Sequence, residues 1–323
     1  MHHLVSISLL TTVFWLSNAM STVHARTIQV PLWPGVAPGS QGITEPEKVV
    51  ERGDGKRVID RSIHDVHRPT LTVHLPGETP RRALAAVVIC PGGGLTRVVI
   101  DKEGNDVARF LARHAVIGIV LKFRTAKTTS HFYGISPMEA DVRRAMRLVR
   151  HNAKRWQIDP QRVGVLGFSA GGILAATVAT RFDRGDADNP DPVERQSCRP
   201  DFFAGAYPML TMKTSVVGLR YQQLLFGPSP SASQLLQYSS DQNVTRHTPP
   251  SFLAHARDDR AVRVAHTELF AKACRQAGVP CTTFIRDKGG HGYGIRDLGT
   301  PINKWRHAFA DWLIKNRLAT PRR

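Results

Sequence analysis

Between residues 84 and 287, short apolar runs rich in β-branched residues alternate with stretches that carry helical spacing. The runs are LAAVVIC (84–90), AVIGIVLKF (115–123), RVGVLGF (162–168), DFFAGAYP (201–208), PSFLAHA (250–256) and CTTFIRD (281–287). Between the second and third, Met138, Val142, Ala145, Met146, Val149 and Ala153 recur at the period of one helix face. Strands separated by helices must pair in parallel through crossovers, so this rhythm predicts an α/β fold. The expected architecture is a mostly parallel central sheet with helices on both faces. A stretch upstream, RSIHDVHRPTLTVHLPG (61–77), reads as two short strands forming an antiparallel N-terminal edge of the same sheet. A helix opening near Val264 is closed by Gly278 and Pro280. A last one, about 301–317, carries Trp305, Phe309, Trp312 and Leu313 on one face.

Residues 26–323 are read as a single domain, because no linker splits them. Two excursions, at about 182–200 and 211–250, are read as candidate caps over a substrate site. Residues 1–25 contain no Lys, Arg, Asp or Glu, and hold an apolar core from Leu4 to Leu16 followed by small residues. They read as a signal peptide cleaved after Ala19 or Ala25, with the mature chain beginning near Arg26 and placed in the periplasm or secreted. After cleavage no stable membrane insertion is expected.

The formal net charge of +18 is untouched by losing that segment and favours anionic surfaces. Its densest cluster, Arg143, Arg144, Arg147, Arg150, Lys154 and Arg155, lies on one predicted helix and reads as that helix's solvated face. No aromatic interleaving or zinc-finger spacing accompanies it, so nucleic acid is not an expected partner. The four cysteines are too few for a disulfide scaffold. Cys274 and Cys281 could form one local bridge or remain buried thiols.

The chemistry centres on VGVLGFSAGGILAATVA (163–179). A serine hydroxyl reacts only when a base takes its proton and donors hold the resulting oxyanion. In Gly167-Phe168-Ser169-Ala170-Gly171 the serine stands on a strand-to-helix turn, where the glycines make room for a tight reversal. It reads as a nucleophile that also opens a helix. Upstream, CPGGG (90–94) ends a strand in three glycines. Gly93 and Gly94, with the amide of Ala170, are the expected oxyanion donors. Neither a P-loop nor a dinucleotide fingerprint is present. Downstream, RDD offers Asp258 and Asp259 as carboxylates, and DKGGHGYG offers His291 after the last strand. The order Ser, Asp, His suits hydrolysis through an acyl-enzyme without metal or organic cofactor.

These motifs, together with VPLWPGVAPG (30–39), RPTLTVHLP, the Glu103-Gly104 pair and LLFGPSPSASQLLQYSSDQNVT, resemble the α/β-hydrolase superfamily. The similar branch is the exported carbohydrate-esterase-like one, of acetylxylan-esterase or hormone-sensitive-lipase type, and the likeness runs over most of the mature chain. The resemblance implies an α/β-hydrolase fold with Ser169 as nucleophile, His291 as general base and acid, and Asp259 as orienting carboxylate. Asp259 is preferred to Asp258 because it satisfies the family's D-x-x-V pattern through Val262. It also implies a serine carboxylesterase acting on small acyl esters or acetylated oligosaccharide and polysaccharide. Departures from the family's pattern are Leu95 where an aromatic is usual, Ile173 where His is common, and Arg263 where Pro is usual. One alternative is a prolyl-oligopeptidase-like peptidase, disfavoured by Ala170 beside the serine and by the missing propeller. Another is a non-catalytic sugar-binding protein on the same fold.

Overall fold

The computed structural model describes residues 26–76 and 82–320. The signal peptide expected at 1–25 lies outside the described residues. Strands β1 (Arg26–Pro31), β2 (Lys48–Glu51), β3 (Arg61–His64), β4 (Thr70–Leu75), β5 (Leu84–Cys90) and β6 (Arg97–Val99) come first. Helix α1 (Asp106–Ala112), β7 (Val116–Lys122), α2 (Ser136–His151), α3 (Ala153–Trp156), β8 (Ile158–Phe168), α4 (Gly171–Thr180) and β9 (Phe203–Ala206) follow. The chain continues with α5 (Thr214–Val217), α6 (Leu219–Phe226), α7 (Ala232–Gln237), β10 (Ser251–Ala256), α8 (Ala265–Gln276), β11 (Cys281–Arg286) and α9 (Trp305–Lys315).

The main sheet has the order β1-β4-β7-β5-β8-β9-β10-β11. From β7 to β11 every neighbouring pair is parallel, whereas β4 runs antiparallel to both β7 and β1. All six runs expected as strands fall in this parallel portion. Strand β5 is buried along nearly its whole length and β7 along all of it, as a strand covered on both sides must be. The expected antiparallel edge exists, but it is made by β4 and by β1, a strand not foreseen. Only half of 61–77 belongs to it. Strand β3 instead pairs with β2 and β6 in a separate three-stranded antiparallel sheet. Asp65, in the left-handed region at φ 53°, turns the chain away between β3 and β4.

Crossover handedness distributes the helices. The connection β5-α1-β7 steps one way along the sheet, while β7-α2-β8, β8-α4-β9 and β10-α8-β11 step the other way. Right-handed crossovers in opposite directions place α1 on one face and α2, α4 and α8 on the other. Helix α9 returns to the α1 side, where the chain just beyond it bonds back to α1's end through Thr320 N–H and His114 O.

Helix α2 does not present its arginines to water. Arg144 is 4% exposed and pairs with Asp191 and Glu194 at 2.5 and 2.7 Å. Arg143 and Arg147 reach Asp183, and Arg150 reaches Asp201. The first excursion, 182–200, therefore lies along α2 as the acidic lining of its basic face. The second, 211–250, is partly helical as expected, through α5, α6 and α7. Cys274 and Cys281 are free thiols, so the local bridge is not formed.

Candidate active site

The sheet order reverses direction at β5, whose neighbours β7 and β8 are reached by opposite crossovers. Loops leaving β5 and β8 thus diverge to opposite faces and open a crevice at the strands' carboxyl ends. Register places Cys90 beside Gly167, so the glycine loop and the serine turn face each other across that crevice.

Ser169 sits at φ 50°, an uncommon conformation for a residue with a Cβ. The turn is held from outside: Ser169 N–H donates to Ala206 O, and Ser169 O accepts from Met209 and Gly172 N–H. Gly171 explains the crowding the motif requires. A Cβ there would lie 2.3 Å from the carbonyl oxygens of Cys90 and Pro91. Every residue of α4 is buried, so the serine stands on a helix fixed on all sides.

The Ser169 hydroxyl lies 2.8 Å from His291 Nε2, and His291 Nδ1 lies 2.7 Å from Asp259 Oδ2. This network assigns the Nδ1–H tautomer, which leaves Nε2 free to accept the hydroxyl proton. Asp259 is buried, and its Oδ1 accepts from the amides of Ala261 and Val262 at 2.9 Å each. Burial alone would raise its pKa. Hydrogen bonds from His255, His291 and the Val262 amide, with the His291 charge, outweigh that and hold it below the usual carboxylate range. Asp258 points elsewhere and accepts from Gly290 N–H at 2.8 Å, which anchors the histidine loop.

Gly93 is at φ 125°, and a Cβ on it would fall 2.2 Å from Arg97 O. That conformation frees its amide. Among the described residues, the N–H groups of Gly93, Gly94 and Ala170 donate to no protein acceptor. For Ala170, 1% exposed, a buried amide without a partner is rare, and it suits a group waiting for a ligand oxygen. Gly92, by contrast, is committed: its N–H donates to Glu103 Oε2 at 2.8 Å.

Glu103 leads to a partner that the sequence did not reveal. Its Oε1 accepts from the Tyr207 hydroxyl at 2.9 Å, and that hydroxyl accepts from Gly294 N–H at 3.0 Å. The Tyr207 ring lies edge-on to His291, with centroids 4.8 Å apart. One buried carboxylate and one phenol thus join the glycine loop to the histidine loop. The only sequence signal was the position of Tyr207 at the end of β9. His255 is fully buried and contacts Thr267, Val262 O and Asp259. Leu95 and Ile173, two departures from the family pattern, are fully buried in the core. The third, Arg263, donates to Ser215 O and ties the Asp259 loop to α5. Among the described residues, no group of three or more His, Cys, Asp or Glu is placed to hold a metal ion.

The family model described as BD-FAE matches residues 71–274, a span that includes Ser169 and Asp259 and stops short of His291. An acetylxylan esterase of Xylanibacter ruminicola is 31% identical over 238 residues, covering 72% of this chain and 45% of that protein. An endo-1,4-beta-xylanase B of Butyrivibrio fibrisolvens is 30% identical over 227 residues, covering 70% of this chain and 35% of that protein. The chain therefore spans less than half the length of these curated relatives. Among solved structures, an acetyl ester-xyloside bifunctional hydrolase from Caldicellulosiruptor lactoaceticus superposes with a TM-score of 0.75 at 30% identity. That match covers 93% of this chain and 100% of the other.

Proposed function

The chain belongs to the BD-FAE family and has the α/β-hydrolase fold, and from that premise we propose that it is a serine carboxylic ester hydrolase removing acetyl or another short acyl group from plant polysaccharide or its fragments. One observation carries the reading: Ser169, His291 and Asp259 are joined by hydrogen bonds of 2.8 and 2.7 Å beside three amides that have no acceptor among the described residues.

In this reading His291 Nε2 accepts the Ser169 proton as the oxygen attacks the ester carbonyl. The tetrahedral oxyanion accepts from Gly93, Gly94 and Ala170, each such donor typically worth about 3 kcal/mol of barrier. Asp259 holds the imidazole in its tautomer and stabilises the imidazolium. The protonated His291 then gives its proton to the departing sugar oxygen as the carbon–oxygen bond breaks. Water, deprotonated by His291, attacks the acyl-enzyme and releases the acid and free Ser169. Tyr207 and Glu103 serve as positioning residues, because they hold the two loops without reaching the reacting atoms. The acetylxylan named for the Xylanibacter ruminicola relative and the acetyl ester-xyloside named for the solved hydrolase support a saccharide ester as substrate. Residues 1–25 support export before the enzyme acts, and Arg26 as the first residue of the exported chain would be read by N-terminal mass spectrometry.

The test is hydrolysis of 4-nitrophenyl acetate and acetylated xylan by the wild type and by Ser169→Ala. Activity lost in the variant, with unchanged circular dichroism, supports the reading. A folded wild type that leaves both esters untouched overturns it in favour of a non-catalytic saccharide-binding protein.

A further inference from the structure

Between α6 and the loop that follows β7 runs an open groove of about 980 Å³. Its residues take no part in the Ser169 constellation, yet both walls are tied to it. On one side, Ala126 N–H donates to Leu95 O in the glycine loop, and the bridge between Lys127 and Phe132 fixes the tip of that wall. On the other, Ile135 N–H donates to Leu225 O of α6, while Arg263 beside Asp259 holds α5 through Ser215 O.

Its chemistry is mixed in one particular way. Phe132 and Leu219 are 48% and 53% exposed, large apolar surfaces left open beside each other's walls. Gln223 lines it too, its Nε2 donating to Pro228 O at 3.0 Å, and the Tyr221 hydroxyl is enclosed in the wall, without a partner among the described residues. Among the described residues the charged ones lining the groove are Lys127 and Arg220, and no acidic residue lines it. Among the described residues neither cation forms an ion pair, although the arginines of α2 are paired throughout. Glu45 and Asp65 reach the same loop, but Ser130 with His67 and Thr129 with Lys48 take them up. An apolar platform and two cations outside any ion pair suit a ligand with a flat carbon face and a carboxylate.

We propose that this groove is a saccharide subsite for a uronic acid residue of the chain whose ester enters the Ser169 site, with Lys127 and Arg220 taking the carboxylate and Phe132 with Leu219 taking the sugar ring. The inference deepens the esterase reading and rests on it for the position of the ester. Charge complementarity favours this occupant over a neutral chain, since only a carboxylate gives the two exposed cations a counter-charge.

The test is calorimetric titration of the full chain carrying Ser169→Ala. The probes are xylo-oligosaccharides with a glucuronic acid branch and neutral ones of equal length. The branched probe is expected to bind about tenfold tighter, from two partly exposed ion pairs each worth up to about fivefold. Raising NaCl to about 0.5 M should erase most of that ratio, because the contacts are open to solvent. Adding Lys127→Gln with Arg220→Gln should bring the ratio to about one, and Phe132→Ala should weaken both probes. Equal affinities, a ratio that survives the double substitution, or no binding of either probe overturns the proposal. Hydrolysis of 4-nitrophenyl acetate by the wild type separates the two readings. Hydrolysis with no preference for the branched probe removes the subsite alone, whereas a preference without hydrolysis removes the esterase function and leaves the groove standing.

Discussion

Two adjacent aspartates differ in role because the chain turns between them. Asp258 accepts from Gly290 N–H and steadies the loop that carries His291, whereas Asp259 accepts from His291 itself. Asp259→Asn would present an amide N–H or a neutral oxygen to Nδ1 and favour the wrong tautomer. On the proposed reading it lowers kcat by about 10³ to 10⁴ with KM little changed. Asp258→Asn keeps an oxygen for Gly290 and should cost less than about tenfold. Steady-state kinetics on 4-nitrophenyl acetate checks both, and the reverse ranking would exchange their roles. The D-x-x-V pattern singled out Asp259 through the family resemblance. Tyr207 had no comparable signal, because its two bonded partners, Glu103 and Gly294, are remote in sequence and meet only across the crevice.

At the scale of elements, helix α2 shows where pattern reading is ambiguous. Arg143, Arg144, Arg147 and Arg150 repeat along one face, and helical spacing alone cannot say whether water or an acidic loop covers it. Here Asp183, Asp191, Glu194 and Asp201 cover it, so the basic face is an internal seam. The other end of α2 carries a deeper pair. Arg124, 1% exposed, meets Asp141 of α2 through both Nε and Nη2 at 3.0 and 2.8 Å and also donates to Pro38 O and Pro137 O. Burial raises the Asp141 pKa despite the guanidinium beside it. Arg124→Met would leave a buried carboxylate without its cation and destabilise the fold by about 3–5 kcal/mol. Adding Asp141→Leu should recover part of that loss. Urea unfolding of the two variants measures both, and an unchanged midpoint in the single variant would show that the pair contributes nothing.

At the scale of the whole molecule, burial disfavours the charged form of several histidines, among them His266, which lies outside the reactive chain. Nδ1 of buried His266 accepts from the amides of Leu210 and Thr211, which fixes the start of the 211–250 excursion. Burial first, then the charges of His255 and Arg263, lower its pKa to about 3. The unfolded chain binds this proton below its ordinary 6.5, while the folded one resists until about 3. Across that window the unfolded state holds more protons, so stability falls as pH falls. Asp259, whose folded pKa is depressed, adds to the same trend below its ordinary 3.8. Thermal melts from pH 7 to pH 4 should show a progressively lower Tm. His266→Asn, which retains an acceptor for the two amides, should flatten that slope; an equally steep slope in the variant would place the sensing group elsewhere.

What the sequence determined by itself was the class of sheet and the turn chemistry. Runs of β-branched residues between helical repeats admit few arrangements, and glycines flanking Ser169 and following Cys90 answer to local sterics that one sequence stretch contains. With the order of serine, aspartate and histidine, that was enough to point to Ser169 and His291 and to the pair Asp258 and Asp259, between which the family resemblance chose. Only the tertiary structure decided which strands share the edge, because the partners of β1 and β3 depend on long-range pairing that neither strand's pattern encodes. It alone decided that the α2 arginines are lined by acids, and that Glu103 and Tyr207 join two loops. It also left Lys127 and Arg220 along a groove without an ion pair among the described residues. Each of these depends on which surfaces meet after the chain has crossed the sheet, and burial and charge compensation are properties of that meeting.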